Sequence, residues 1–242
     1  MEKQIIILFG PPGAGKGTQA ELLSDKLGYY HFESSKIIEA TFKNESKDKV
    51  FTIEGTDYKV GDEIKKWESG NLNSPPFVVF LMTEKIKDLA EDGKSIIFSG
   101  SPRTVYEAER EIPLLMELYG KPARNASHND AGGENIKFVL LEISAKTTIF
   151  RNSHRRICEL IRHSILFTKE TEHLKLCPLD GSLLVKRKGL DDPETIKNRL
   201  VIYKEQTYPV THHIEKEGIL VRKVNGEQSV SDVFSEILEK LK

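Results

Sequence analysis

Cysteine is scarce in this chain, with two in 242 residues, and there is a single tryptophan. Two thiols cannot build a disulfide framework, and such a chain is expected in the reducing cytoplasm. No apolar stretch approaches the roughly 20 residues needed to cross a bilayer, so no membrane role is expected. The N-terminus runs straight into an apolar segment, so a secretion signal is not expected. An excess of charge of one sign is also missing. Lys and Arg number 36 against 37 Asp and Glu, a formal net charge of −1, so nucleic acid is not an expected partner. The sequence has no internal repeat and no low-complexity segment. Its 38% hydrophobic and 30% charged residues suit a globular protein, either one α/β domain with insertions or two small domains.

What is present begins at residue 10. Gly10-Pro11-Pro12-Gly13-Ala14-Gly15-Lys16-Gly17-Thr18 follows the apolar run Ile5-Ile6-Ile7-Leu8-Phe9. A buried strand thus opens into a glycine-rich loop, and a helix starts near Lys16. Such a loop turns several backbone N–H groups and a helix N-terminus towards phosphate oxygens. Lys16 adds a cation for β- and γ-phosphates, and Thr18 a hydroxyl for Mg²⁺. The P-loop pattern G-x-x-x-x-G-K-[ST] is met imperfectly, because Gly17 holds the hydroxyl position. A nucleotide phosphate site is the reading these residues favour over an ordinary strand–turn–helix corner.

Continuous apolar runs predict core strands at 4–9, 95–99, 136–143 and 219–224, with a short one near 29–32. Helical patterns fall at about 16–27, 34–43, 61–70, 77–92, 104–119, 146–161, 194–216 and 229–241. This alternation predicts an α/β fold, a parallel sheet with helices on both faces. Residues 50–60 alternate around Glu54-Gly55-Thr56-Asp57 and predict a small β-hairpin. Residues 120–135, rich in Gly, Asn and Ala, predict a surface loop, and 158–191 a separate small flap carrying both cysteines.

Arginines able to converge on the P-loop are the next candidates, since phosphoryl transfer is mostly positioning and charge neutralisation. Arg151, Arg155 and Arg156 fall on the helix predicted at 146–161, with Arg151 and Arg155 four apart on one face. That helix starts past the carboxyl end of a core strand, where open α/β sheets bind ligands. Arg103 follows another strand end through the turn Gly100-Ser101-Pro102. Arg199 lies on the helix after the flap and is uninformative alone.

Taken together, these segments resemble the adenylate kinase family of nucleoside monophosphate kinases over nearly the whole chain. The carriers, in order, are the P-loop at 10–18, His31-Phe32-Glu33-Ser34-Ser35, and Gly70-Asn71-Leu72 with Pro75. They continue with Gly100-Ser101-Pro102-Arg103-Thr104, Arg155-Arg156-Ile157-Cys158, and Asp192-Pro193-Glu194-Thr195 with Arg199, Tyr203, Thr207 and Pro209. The resemblance implies a three-layer P-loop fold with a five-stranded parallel sheet. Its core would be 1–30, 76–157 and 192–242, with a monophosphate-binding insert at 31–75 and a β-rich lid at 158–191. It implies a cytoplasmic monomer that passes phosphoryl from MgATP to a nucleoside monophosphate, AMP first. Catalysis would fall to Lys16, Arg103, Arg155 and Arg199. ATP would lie on Gly13, Ala14, Gly15, Lys16, Gly17, Thr18, Arg151 and Gln228, with Arg151 against the base. The monophosphate would meet Ser34, Gly100, Arg103 and Glu107.

The chain departs from the family pattern at several charges. Glu39 stands where an arginine is usual, with Lys36 a substitute one turn earlier. Ser99 replaces the aspartate that holds a Mg²⁺ water. Of an aspartate pair only Asp191 aligns, the other position being Leu190, and the nearby lid arginine becomes Lys188 or a shifted Arg187. Glu107 replaces an adenine-reading glutamine. An ionised carboxylate only accepts hydrogen bonds, which suits guanine's donor edge and makes GMP, or a broad acceptor set, an alternative. Loss of charges also leaves open a nucleotide-binding sensor with little turnover.

Many lids of this family bind structural zinc through paired cysteine motifs. Cys158, Cys177 and Asp180 match, the fourth position is Ile161, and His163 is the nearest substitute. The alternatives are zinc on Cys158, His163, Cys177 and Asp180, or a metal-free lid with packed thiols.

Overall fold

The computed structural model describes residues 3–122, 134–187 and 190–242. Lys188 and most of the loop expected at 120–135 lie outside these residues. In chain order the elements are β1 (Ile5–Phe9), α1 (Lys16–Leu27), β2 (Tyr30–Glu33), α2 (Ser34–Asn44), β3 (Val50–Ile53), β4 (Thr56–Lys59) and α3 (Val60–Glu68). Then come α4 (Pro75–Glu91), β5 (Ile96–Ser99), α5 (Val105–Tyr119), β6 (Ile136–Glu142) and α6 (Ala145–Ser153). The short strands β7 (Arg156–Cys158), β8 (Ser164–Ile165) and β9 (Leu184–Val185) precede α7 (Pro193–Ile202). A π-turn at Tyr203–Thr207 leads into α8 (Tyr208–Lys216), β10 (Val221–Asn225) and α9 (Val230–Lys240).

Five strands form one parallel sheet in the order β10-β6-β1-β5-β2. β1 is buried at every residue because both its faces are covered. Ile5, Ile7 and Phe9 pack with Phe98, Phe138 and Leu140 against α4, α5 and α8. Ile6 and Leu8, pointing the other way, pack with Ile97, Val139 and Leu141 against α1 and α9. The expected three-layer α/β arrangement is therefore present. Burying each such side chain contributes about 1.5–3 kcal/mol, which makes the central strands the rigid base of the molecule. Among the described residues no helix is long and apolar enough to cross a membrane.

The expected hairpin at 50–60 is β3 paired antiparallel with β4. Phe51 anchors it on Phe77 and Phe80 of α4, with ring centroids 5.7 and 5.6 Å apart. In the flap, β7 pairs antiparallel with β8 and β9. Two expectations need correction. The helix predicted at 146–161 ends at Ser153, and Arg156 starts a strand, so Arg151 and Arg155 do not share a helix face. The helix predicted at 194–216 is α7 and α8 joined by the π-turn. That wider turn absorbs Pro209, which lacks the N–H a continuous helix needs.

Candidate active site

The chain runs from β1 to one edge of the sheet, returns to β5, and crosses to β6 on the far side of β1. A crevice opens at such a switch point, at the carboxyl ends of the strands. The loops after β1, β5 and β6 all end there and carry the candidate groups.

After β1, the loop reaches Gly13 at φ +84°, a left-handed conformation that side chains rarely adopt. A Cβ at Gly13 would also sit 2.6 Å from Asn152 Nδ2 on α6, so glycine is needed for space as well. Lys16 opens α1, and its Nζ folds back to donate to the carbonyls of Gly10 (2.6 Å) and Pro11 (3.0 Å). The ammonium thus lies across the mouth of the loop. Arg151 Nη1 donates to Gly13 O at 3.4 Å, placing its guanidinium beside the same loop.

After β5, Gly100 sits at φ +106°, and a Cβ there would come within 2.8 Å of Ser34 Oγ and 3.0 Å of Arg103 Nη2. Ser34, Gly100 and Arg103 therefore lie together. Ser34 Oγ is buried without a hydrogen-bond partner. Arg103 Nε donates to Gly100 O at 2.6 Å, and its backbone N–H to Glu107 Oε2 at 2.6 Å. Thr104 caps α5 by accepting from Glu107 N, and its hydroxyl donates to Glu107 Oε1 at 3.1 Å. Glu107 is 1% exposed with both oxygens engaged, so here it supports the Arg103 loop instead of offering an edge to a base. At the neighbouring strand end, Ser99 Oγ hydrogen-bonds His31 Nε2 at 2.7 Å. Lys36, the substitute cation, pairs with Glu33 at 2.9 Å on an exposed surface, and Glu39 is partly exposed.

The flap and α7 complete the ring of cations. Arg199 Nη1 donates to Leu190 O at 3.2 Å. Asp191, 3% exposed, takes Arg187 in a fork, Nη2 to Oδ1 at 2.6 Å and Nε to Oδ2 at 3.1 Å. Arg155 Nη1 lies 3.9 Å from the same carboxylate. Of the two candidates for the lid arginine, Arg187 meets Asp191, and Lys188 lies outside the described residues. The signal was the four-residue spacing to Asp191. Arg156 plays a different part, its guanidinium holding the carbonyls of Thr171, Glu172 and Leu174 in the flap.

These cations feel one another. Burial, then the charges of Arg103, Arg199, Arg155 and Arg187, push Lys16 down to about 7. Burial and the neighbouring arginines bring Arg199 to about 9 and Arg155 to about 10. Excess positive charge held in a half-buried crevice is a site built for a polyanion. Gln228 stands apart from this ring, donating to Asn225 O and to Glu236.

In the flap, the ligand atoms of Cys158, His163 and Cys177 all lie within 4.8 Å of one another. Cys158 Sγ is 2.9 Å from Asp180 Oδ2, and Cys177 Sγ is 3.5 Å from His163 Nε2. Backbone amides also point at the sulfurs, Ile161 N to Cys158 at 3.2 Å and Leu179 N to Cys177 at 3.4 Å. Cys158, His163 and Cys177 are thus a three-residue group that could hold a metal ion, with Asp180 beside Cys158 but outside that mutual cluster.

The family model for adenylate kinase matches residues 8–219 of the chain. An adenylate kinase of Lachnospira eligens is 31% identical over 240 residues, covering 98% of this chain and 99% of the relative. One from Caldicellulosiruptor saccharolyticus is 29% identical, covering 98% of each. Another, from Caldicellulosiruptor bescii, is 31% identical with the same coverage.

Proposed function

The chain belongs to the adenylate kinase family of phosphotransferases, and from that premise we propose that it moves the γ-phosphoryl group of MgATP onto AMP, giving two ADP. The observation carrying this reading is the ring of Lys16, Arg103, Arg155, Arg187 and Arg199, in which burial and neighbouring cations lower Lys16, Arg155 and Arg199, and Asp191 is the counter-ion to Arg155, Arg187 and Arg199. Transfer between two nucleotides brings many phosphate charges together, and fixed cations stabilise charge as it redistributes over the transferring group.

Lys16 and the amides of Gly13, Ala14, Gly15, Gly17 and Thr18 would hold the donor phosphates, with Arg151 against the donor base. Arg103, with the unpaired Ser34 hydroxyl and the bare backbone at Gly100, would hold the acceptor phosphate. Arg155, Arg187 and Arg199 would face the group in flight. Mg²⁺ enters as part of MgATP and supplies charge neutralisation on the phosphates. Thr18 and the neutral Ser99 hydroxyl would be the groups to hold it or one of its waters. We take 31–75 and 158–191 as the moving parts around the remaining core, closing over the substrates and excluding water. AMP is preferred over GMP as acceptor because the Glu107 carboxylate is already engaged by Arg103 and Thr104. Two free cysteines suit a cytoplasmic setting. Replacing Arg103 with alanine tests the assignment. The KM for AMP should rise and the KM for ATP stay near its starting value, whereas a uniform loss would contradict it.

The flap is proposed to hold one structural Zn²⁺ on Cys158, His163, Cys177 and Asp180. The ion would tie the turns after β7 and before β9 into one unit, which shapes the lid and leaves the chemistry to the cation ring.

A further inference from the structure

Beneath the Arg103 loop, Glu107 is joined by two groups, Ser101 and Glu111, that take no part in the scheme above. Glu107 and Glu111 are one helical turn apart on the buried face of α5, 1% and 0% exposed. Ser101 stands between them. Its Oγ lies 2.8 and 2.9 Å from the two oxygens of Glu111 and 3.5 Å from Oε2 of Glu107. That same Oε2 receives the backbone N–H of Arg103 at 2.6 Å. A continuous chain of polar groups therefore runs from Glu111 through Ser101 and Glu107 to the backbone of the residue assigned to the acceptor phosphate.

Two buried carboxyls joined by one hydroxyl cannot both be ionised, because like charges at this range in a poorly solvated interior repel too strongly. The environment decides which keeps the proton. Burial pushes Glu107 up from the usual carboxylate range, but the Arg103 N–H, the Arg103 guanidinium and Thr104 Oγ1 all pull back towards its ionised form. Glu111 has only the Ser101 hydroxyl, and Glu107 is the charged group bearing on it among the described residues. Burial first and Glu107 second push it well above the usual carboxylate range. The elements packed on α5, namely α4, α8 and β6, meet it in an apolar cluster. With the proton on Glu111, every donor has one acceptor. Glu111 O–H donates to Ser101 Oγ, Ser101 O–H to Glu107, and Arg103 N–H to Glu107.

We propose that Glu111 is a positioning residue for the acceptor site, the neutral end of a buried chain that fixes Arg103 through Ser101 and Glu107. The inference rests on the assignment of Arg103 to the acceptor phosphate. It predicts an effect on one substrate alone. Glu111→Leu leaves Ser101 without a donor and should raise the KM for AMP about tenfold, the worth of one buried hydrogen bond, with the KM for ATP nearly unchanged. Glu111→Gln keeps a neutral donor and should restore the KM for AMP. Ser101→Ala removes the bridge and should behave as Glu111→Leu, which gives a second route if the leucine variant does not fold.

The test is steady-state kinetics of these variants with AMP and ATP varied in turn, alongside infrared spectra of the ligand-free proteins near neutral pH. A protonated-carboxyl band present in the wild type and absent from Glu111→Gln supports the proposal. So does a selective rise in the KM for AMP that glutamine reverses. If the wild type is active but the KM values of the variants do not separate, or the band is absent, the positioning role is overturned while the activity stands. If the wild type phosphorylates no monophosphate, the reading beneath the proposal fails, and the proposal with it.

Discussion

Arg187 and Asp191 form a forked pair, Nη2 to Oδ1 at 2.6 Å and Nε to Oδ2 at 3.1 Å, on a carboxylate that is almost wholly buried. The fork fixes the plane of the guanidinium at the edge of the cation ring and leaves its remaining N–H groups for an incoming anion. Arg187→Ala should lower kcat about a hundredfold, the typical loss when one fixed donor to developing charge is removed. Arg187→Lys should recover only part, because an ammonium cannot reproduce the fork. Equal activity in the alanine variant would assign the role elsewhere.

Lys16 gives a prediction in pH. In the free protein its ammonium is held down to about 7, so above that pH it is mostly neutral. Phosphates beside it favour the charged form, so ATP binding takes up a proton where the free group has lost one. Uptake should approach one proton at about pH 8 and fall towards none at about pH 6. Calorimetry in buffers of different ionisation enthalpy measures this directly. The Lys16→Met protein supplies the baseline for protons taken up by the nucleotide itself.

At Gly100 the backbone is left-handed, and a methyl group would press on Ser34 Oγ and Arg103 Nη2. Gly100→Ala should therefore strain the turn by about 1–2 kcal/mol and raise the KM for the monophosphate. ATP binding, which uses the loop after β1, should change little. A rise in both constants would mean that the two sites do not divide as assigned.

Much of the fold was legible because its central strands are buried on both faces. Ile5-Ile6-Ile7 and Val139-Leu140-Leu141 have no polar face to disguise them. The overrun at 146–161 has a physical cause as well. α6 stops at Ser153 with no glycine or proline to mark the end, and apolar residues resume within a few positions in β7. The P-loop and Arg103 could be read from strand, turn and cation in sequence. Other partners became visible only in three dimensions. Asn152 lies behind Gly13, and Ser101 bridges Glu107 and Glu111, contacts that no local pattern encodes.

The flap should carry close to one zinc per chain after purification without added metal, as measured by elemental analysis. Cys177→Ser should lose the ion. It should also lower the thermal midpoint by roughly 5 °C or more, since each kcal/mol moves a protein of this size by about 2–4 °C. A metal content near zero with an unchanged midpoint would make Cys158 and Cys177 packed thiols.

The most direct measurement is the rate of nucleoside diphosphate formation from MgATP with AMP, GMP, CMP, UMP and dAMP side by side. The account predicts rapid turnover with AMP and much slower turnover with the others. Preference for GMP would contradict the acceptor assigned from the buried Glu107. Tight ATP binding without turnover on any acceptor would contradict the central claim that this ring of cations performs phosphoryl transfer.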